Sequence, residues 1–422
     1  MSTRKESTAN SAGKLCGGRT VSRRNLLSTG GAAALATGLA GRLQPTFAAG
    51  KPRKKVRVGV AGGRFGATFQ FHEHPDCIVE AVTDLIPERR QRLMKTYRCE
   101  KSYDSLEEMV LDDRLDAIAI FTDGPLHTKH VELAMRNGKH AMSAVPAAWG
   151  SLDDCHFLRE TVEKHGLTYM LCETGYYQPE VIAAREFHKQ GAFGELFYSE
   201  SEYQHPGLDR LYLKAGKRTW RYGVAPMHYP THNTAKLISV TGERLTSVSG
   251  QGWGDDSRVL QDNVYHNPFW NESALFRTNR GHAFRLCVWW KGAFRFAQRA
   301  EWIGSKMSLF MEQANGQKPM IVRNPVKTDK DGASYAHGRA TAEPFQPPDY
   351  WKTDRLPEPL RHPSGHWNSH CFLVHEFIDA IVSGRQPANN LYEALAYTVP
   401  GIVAHDSALR EGELMKIPSF DP

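Results

Sequence analysis

The densest group of side chains able to move protons lies in residues 226–242, PMHYPTHNTAKLISVTG. Removing hydride from an alcohol requires a base for the hydroxyl proton, and histidine, or tyrosine with a lowered pKa, can serve. We predict catalytic roles for His232 and Tyr229. His228 lies four residues before His232, so on a helix the two would share a face. His228 keeps two interpretations, a catalytic group or a hydrogen-bonding residue at a helix start.

A second histidine pair, His366 and His370, occurs in the segment GHWNSH with the same spacing of four residues. Imidazole suits zinc, so a site built from both pairs is conceivable. No acidic or cysteine ligand falls at a convincing spacing beside them. We therefore predict no metal.

A glycine-rich turn follows the strand pattern Val56–Ala61 and matches G-x-G-x-x-G, with alanine in place of the first glycine. Backbone N–H groups of such a turn can approach a dinucleotide pyrophosphate at the start of a following helix. We expect a helix after the turn. The predicted cofactor-binding residues here are Gly63, Arg64, Phe65 and Gly66.

Asp84 ends the next strand pattern, 18 residues after Gly66. A carboxylate there can accept hydrogen bonds from the adenosine ribose and would repel a 2′-phosphate, which favours NAD over NADP. The alternative is a glycine turn that binds nothing, with Asp84 capping the following helix.

The first part of the chain, residues 56–173, alternates strand and helix patterns, which predicts a parallel sheet with helices on both faces. Further along, alternating polar and apolar residues, beginning at residues 195–203, predict the strands of a second sheet. Closing helices are predicted over residues 372–383 and 391–409. Residues 314–365 read as a long loop, functional or mobile.

Several segments in order, among them RVGVAGGRFG, AVTDLIPERR and GLTYMLCETGYY, resemble the glucose–fructose oxidoreductase / inositol dehydrogenase / MocA (Gfo/Idh/MocA) family. The resemblance implies an α/β fold: a doubly wound parallel Rossmann sheet over residues 50–173, then an α+β domain with an open, mostly antiparallel sheet over residues 174–422. It implies NAD and a small carbohydrate or polyol between the two domains, and a homo-oligomer. Asp123 and His127 would lie near the nicotinamide ribose.

The family's E-K-P motif reads Ala144-Val145-Pro146 here, so Pro146 is retained as a cofactor-binding residue while the lysine that assists proton transfer is absent. The NAD-dependent glycoside hydrolase branch looks closer. It is similar in Y-P-T-H, residues 229–232, and in V-P, and it places a tyrosine at Tyr176. Such enzymes oxidise the sugar transiently, eliminate the leaving group, add water and reduce again. Their acid before V-P is Ala144 here.

Residues 20–41, TVSRRNLLSTGGAAALATGLAG, resemble a twin-arginine export signal, which we assign to residues 1–49. The whole chain has a net charge of +7, and residues 1–57 alone contribute +11. The remaining residues therefore have a net charge of −4. A basic footprint for nucleic acid is therefore not visible. We expect a periplasmic or extracytoplasmic protein that meets a membrane only through its signal.

Export constrains the chemistry, because no dependable pool of NAD exists outside the cytoplasm. We therefore expect an NAD-dependent oxidoreductase that retains its cofactor and is redox-neutral over each cycle. The alternatives are an NAD-dependent glycoside hydrolase and a non-catalytic, NAD-bound carbohydrate-binding protein.

Overall fold

A buried parallel sheet organises the first part of the chain. The computed structural model describes residues 55–336 and 338–422, so the predicted export signal, residues 1–49, lies outside the described residues. The strands are β1 Val56–Ala61, β2 Cys77–Thr83, β3 Ser102–Tyr103, β4 Ala117–Ile120, β5 His140–Ser143 and β6 Tyr169–Leu171. Each neighbouring pair is parallel, in the order β3-β2-β1-β4-β5-β6. This Rossmann order reverses direction between β1 and β4, where such sheets bind ligands.

The helices of this part are α1 Pro87–Tyr97, α2 Leu106–Met109, α3 His127–Arg136 and α4 Leu152–His165. Local chemistry explains the bounds of α4. Ser151 caps it by accepting hydrogen bonds from the backbone N–H groups of Asp153 and Asp154, and Gly166 ends it in a left-handed conformation. The pattern of the sequence predicts a helix with the same bounds, Leu152–His165.

The prediction of a helix after the glycine turn is wrong. The chain forms two short 3₁₀ turns instead, Gly66–Thr68 and Phe71–Glu73. Phe69 and Phe71 are both fully buried although they are only two residues apart. An α-helix would place them about 200° apart around its axis, so the burial of both rings overrides helix formation.

The second part of the chain forms a large mixed sheet, accompanied by two short hairpins. Its strands and those of the hairpins are β7 Leu196–Gln204, β8 Leu213–Lys214, β9 Lys217–Arg218, β10 Leu245–Trp253, β11 Asn271–Thr278, β12 Ala283–Trp289, β13 Ala297–Gly304, β14 Met307–Phe310, β15 Met320–Arg323, β16 Val326–Thr328, β17 Ser334–Ala336, β18 Thr341–Pro344 and β19 Met415–Lys416. The large sheet has the order β18-β15-β14-β13-β7-β12-β11-β10-β19. Its pairs are antiparallel except for β7 with β12. The predicted fold class is confirmed.

The remaining helices are α5 Pro179–Lys189, α6 Thr231–Thr241, α7 Arg258–Gln261, α8 Gly365–Ser383 and α9 Leu391–Leu409. The bounds of α9 agree with the prediction. The assigned start of α8, Gly365, precedes three left-handed residues, 366–368, so its regular right-handed part begins at Ser369, three residues before the predicted start. The segment read as a long loop contains β15 to β18. β18 is short and exposed throughout, and β15 has only four residues, so these two strands leave little hydrophobic pattern in the sequence.

Helix α6 is fixed to the large sheet by polar contacts in the core. Asn233 accepts a hydrogen bond from the Ser201 hydroxyl of β7 at 2.8 Å and donates to the Cys287 carbonyl of β12 at 3.2 Å. Trp302 of β13, which is fully buried, donates its indole N–H to the carbonyl of Lys236 at 3.2 Å. The helix that starts beside His232 is therefore held by three strands.

Two features bear on the cellular setting. None of the helices in the described parts of the chain is long and apolar enough to cross a membrane. Across the same residues, the cysteines are free thiols and all are buried, namely Cys77, Cys99, Cys155, Cys172, Cys287 and Cys371.

Trp302 provides a test of this packing. We expect Trp302→Ala to lower the free energy of unfolding by about 3–5 kcal/mol, because it opens a large cavity and removes the indole hydrogen bond to α6. Trp253→Ala is the matched control, since Trp253 is 53% exposed on β10 and should cost less than about 1 kcal/mol. Urea denaturation followed by circular dichroism measures both. Equal losses in the two variants would contradict the assigned core.

Candidate active site

The glycine turn at the carboxyl end of β1 is packed too tightly for side chains. Gly62 has φ +105°, which favours glycine. A Cβ at Gly62 would collide with the carbonyl oxygen of Phe121, and one at Gly63 with the carbonyl oxygen of Arg89. At Gly66 a Cβ would lie 2.7 Å from the Phe121 ring. The turn is thus pressed against the end of β4 and against α1.

Two backbone donors of this turn are available to a ligand. The N–H of Gly63 donates to Oδ2 of Asp84 at 2.7 Å, and that of Gly66 donates to the Gly62 carbonyl. The N–H groups of Arg64 and Phe65 donate to no acceptor among residues 55–336 and 338–422. Adjacent free N–H groups at the switch point of a parallel sheet suit the pyrophosphate of a dinucleotide. The residues present therefore fit NAD.

Asp84 lies beside this turn as expected, at the end of β2. Its Oδ1 accepts a hydrogen bond from the N–H of Ile86 at 2.8 Å, just before α1 begins. The carboxylate therefore organises the local turns on both sides. Its predicted contact with the ribose stays a prediction.

His127 and Pro146 form one rigid junction next to Asp123. Nδ1 of His127 lies 2.8 Å from the carbonyl oxygen of Pro146, and Nε2 lies 3.2 Å from that of Thr122. Burial lowers the pKa of His127 to about 4, so the ring is neutral and only one nitrogen donates. Both nitrogens face the protein, so His127 would act on a cofactor by fixing the loop that carries Asp123.

The centre of the site is a buried pair, Glu173 and His232. The Nδ1–H of His232 donates to Oε1 of Glu173 at 2.8 Å, and the N–H of Gly175 donates to the same oxygen at 2.6 Å. Burial alone would raise the pKa of Glu173, but the neighbouring His232 and hydrogen bonds lower it overall. Glu173 is therefore a carboxylate that holds Nδ1 of His232. Nε2 remains to accept a proton from a substrate.

Tyr229 lies next to this pair, as predicted. Its ring is 5.6 Å from that of His232, and Tyr203 contacts both rings at 5.1 and 6.0 Å. Burial raises the pKa of Tyr229, and Arg221 opposes that shift. The guanidinium of Arg221 lies 4.0 Å from the Trp220 ring and 6.0 Å from that of Tyr229. A cation among aromatic rings can bind the oxygens of a sugar or acid.

Tyr176 and His228 each contact other side chains. Tyr176 packs under Arg185, whose guanidinium is 4.0 Å from the ring. His228 belongs to a 3₁₀ turn, Pro226–His228, whereas α6 begins at Thr231, so the two histidines do not share a helix face. Burial lowers the pKa of His228 to about 3, with His405 contributing. The i,i+4 expectation fails because Pro230 separates the turn from the helix.

The pair His366 and His370 lies over the glycine turn. Nε2 of His370 is 2.8 Å from Nδ1 of His366, and the Phe65 ring contacts both imidazoles edge-on. Burial lowers the pKa of His366 to about 4, and the ring interacts electrostatically with His232 and Glu173. In the described residues, no three His, Cys, Asp or Glu side chains converge to hold a metal.

The family comparison agrees with this geometry. Residues 56–172 match the model described as an oxidoreductase family with an NAD-binding Rossmann fold, GFO_IDH_MocA. These residues belong to the Gfo/Idh/MocA family. The predicted recognition, the NAD cofactor and the assignment as an NAD-dependent oxidoreductase of Gfo/Idh/MocA type are therefore confirmed.

The relatives of this chain cover either almost its whole length or one part of it. A glycosyl hydrolase family 109 protein from Streptomyces coelicolor is 23% identical over 95% of this chain and 94% of its own. An α-N-acetylgalactosaminidase from Bacteroides fragilis is 33% identical over 32% of this chain and 34% of its own. The structure of scyllo-inositol dehydrogenase from Lactobacillus casei, with bound NAD(H) and scyllo-inositol, is 16% identical with a TM-score of 0.61, covering 86% of this chain and 99% of that one.

Sequence reasoning missed two residues of the site. Glu173 was noted only as the end of a strand pattern, and its position after β6 was the available signal. Arg221 lies in a segment with no periodic pattern, and only the fold brings it to Tyr229.

The tight turn predicts the effect of a methyl group. We expect Gly63→Ala to weaken NAD binding at least about tenfold, because the Cβ must displace α1 or the turn itself. Gly138→Ala is the control, since Gly138 has φ +74° and open space around it. Titration calorimetry with NAD measures both variants. Unchanged affinity in Gly63→Ala would remove the turn from the cofactor site.

The lowered pKa of Glu173 predicts how stability depends on pH. Its stabilising contribution is present above the ordinary pKa of glutamate and is lost as pH falls through the lower native value. We expect Glu173→Gln to lower Tm at pH 7, with the difference shrinking in acid. Glu160→Gln, at an exposed site on α4, is the control. A constant difference from pH 7 to pH 3 would show that the charge of Glu173 does not stabilise the fold.

Proposed function

We propose that this protein is an NAD-dependent oxidoreductase that acts on a carbohydrate or polyol, retains its cofactor tightly and is redox-neutral over each cycle. The observation that carries the proposal is the Glu173–His232 pair at the carboxyl end of the sheet whose glycine turn fits a dinucleotide. A buried carboxylate behind an imidazole is an arrangement for removing a hydroxyl proton.

The residues divide the chemistry between them. The glycine turn, with Gly63, Arg64, Phe65 and Gly66, would hold NAD, which would supply the acceptor and later the donor of the carbinol hydride. His232 takes the hydroxyl proton on Nε2, and the charge of Glu173 stabilises the imidazolium that forms. Tyr229 and Arg221 bind substrate oxygens beside it. His366 faces the same space and can pass a proton on the side of the glycine turn.

The proposal that the cofactor is retained is based on the twin-arginine pattern at residues 22–27, SRRNLL. We propose export of the folded protein with NAD inside, to a periplasmic or extracytoplasmic location. An enzyme separated from the cytoplasmic NAD pool turns over repeatedly only if each cycle restores its cofactor. A homo-oligomer, expected through the open face of the large sheet, stays part of this proposal.

A second candidate is the NAD-dependent glycoside hydrolase. It is favoured by Val145, which replaces the family lysine, and by the relatives named glycosyl hydrolase family 109 proteins over 94–95% of both chains. In that reaction the C–H bond beside the oxidised carbon loses its proton, the glycosidic C–O bond breaks, and water adds before hydride returns. Both candidates begin with the same step, in which the substrate carbinol is oxidised while His232 takes its hydroxyl proton.

The cofactor is the first measurement. We expect the exported protein, purified and denatured, to release NAD in about equimolar amount, identified by mass. The purified protein should then exchange deuterium between a carbinol-deuterated sugar or polyol and an unlabelled one without added nucleotide, and His232→Gln should lose about 100-fold or more of this exchange while keeping its NAD. A protein that neither contains nor binds NAD would refute both enzymatic candidates.

Aryl glycosides separate the two candidates. Release of 4-nitrophenol from aryl N-acetylgalactosaminides and related glycosides, without added NAD and with deuterium taken up from D₂O at the carbon that loses its proton, would establish the hydrolase. Isotope exchange between free sugars without aglycone release would establish the oxidoreductase. Saturable sugar binding with neither would indicate a non-catalytic carbohydrate-binding protein.

A further inference from the structure

Lys236 is a charged side chain that the proposed chemistry does not use. It lies on α6, is fully buried, and its amine has no hydrogen-bond partner in the described residues. Lys139, the other buried lysine of the described chain, instead donates to the Leu115 carbonyl at 2.7 Å. An unsolvated amine in a protein core is destabilising, so its presence requires an explanation.

The position of Lys236 points towards the catalytic pair. It follows His232 by four residues on α6, so both side chains leave the same helix face, and long side chains lean towards the helix N-terminus. The charged groups that act on its amine electrostatically are Glu173 after β6, Glu180 on α5 and Arg299 on β13. The electrostatic interaction with Glu173 is the strongest of the three.

Three polar side chains of this region keep atoms without a hydrogen-bond partner. Oε2 of Glu173 and Oε1 of Gln178 are buried and without partners in the described residues, as is Nζ of Lys236. Gln178 is fixed from the other side, since its Nε2 donates to Gln298 of β13 at 2.9 Å. Buried polar atoms without protein partners are normally bridged by internal water. Such water would connect the amine to the carboxylate.

We propose that Lys236 is a positioning residue for the Glu173–His232 pair, whose amine behind the carboxylate keeps Glu173 ionised and lowers the pH at which the pair takes up a proton. It supplies, from α6 and without touching substrate, a cation that the chain lacks at Val145. A pair with lower proton affinity stays ready to accept the substrate proton near neutral pH. Its catalytic meaning rests on the proposed function, whereas its electrostatic effect does not.

The test follows the pair itself and needs no substrate. The Hε1 resonance of His232, assigned by comparison with His232→Gln, is titrated with pH in wild type, Lys236→Met and Lys139→Met, each with its nucleotide as isolated. We expect the midpoint in Lys236→Met to rise by about one pH unit, because a nearby positive charge is removed. Lys139→Met should titrate as wild type.

An unchanged midpoint in folded Lys236→Met overturns the proposal, even if every sugar assay fails. Lys236→Leu is the second neutral variant in case Met does not fit. If the sugar assays succeed, the acidic limb of the kcat/KM profile should move in the same direction, which a loss of packing alone would not produce.

Stability gives an independent readout. Burial lowers the pKa of Lys236 to about 7 from 10.5, so between these values the unfolded chain binds the proton more strongly. We expect Lys236→Met to raise Tm at pH 7, with the gain shrinking as pH rises towards 10.5. No gain at any pH would show that burial does not penalise the charged amine.

Discussion

The hydrogen bond between Glu173 and His232 links the two halves of the protein at the point where they must cooperate. Glu173 follows β6 of the parallel sheet, and His232 begins the helix held on the large sheet. A fully buried carboxylate is stable only with a partner, so the fold has to deliver an imidazole to it. The contacts of Asn233 and Trp302 that fix α6 therefore also fix the geometry of the base.

Sequence patterns predicted the elements whose local and tertiary preferences agree. Helix α4 has a serine cap and a terminal glycine, and both bounds were read correctly. The helix after the glycine turn failed because the burial of Phe69 and Phe71 decides that segment, and burial is a property of the fold. The exposed strand β18 was missed since it buries little surface.

The site divides in the same way. Gly63, Asp84, Tyr229 and His232 stand in motifs with a chemical reason for their spacing, and the structure places them at one edge of the parallel sheet and beside it. Glu173 lies 59 residues from His232, and Arg221 and Lys236 carry no motif. His228 shows the converse, because its spacing suggested a shared helix face while Pro230 breaks the helix. Spacing along a chain predicts proximity only inside one regular element.

The backbone at His366, Trp367 and Asn368 is left-handed at three successive residues, with φ of 47°, 55° and 69°. A residue other than glycine or asparagine pays about 1–2 kcal/mol for that conformation. The backbone of this segment is therefore strained, and the packing of His366 on Phe65 must hold it in place. A substitution here would have two opposing effects. Trp367→Gly would relax the backbone, yet it would also allow the imidazole of His366 to move away from the glycine turn.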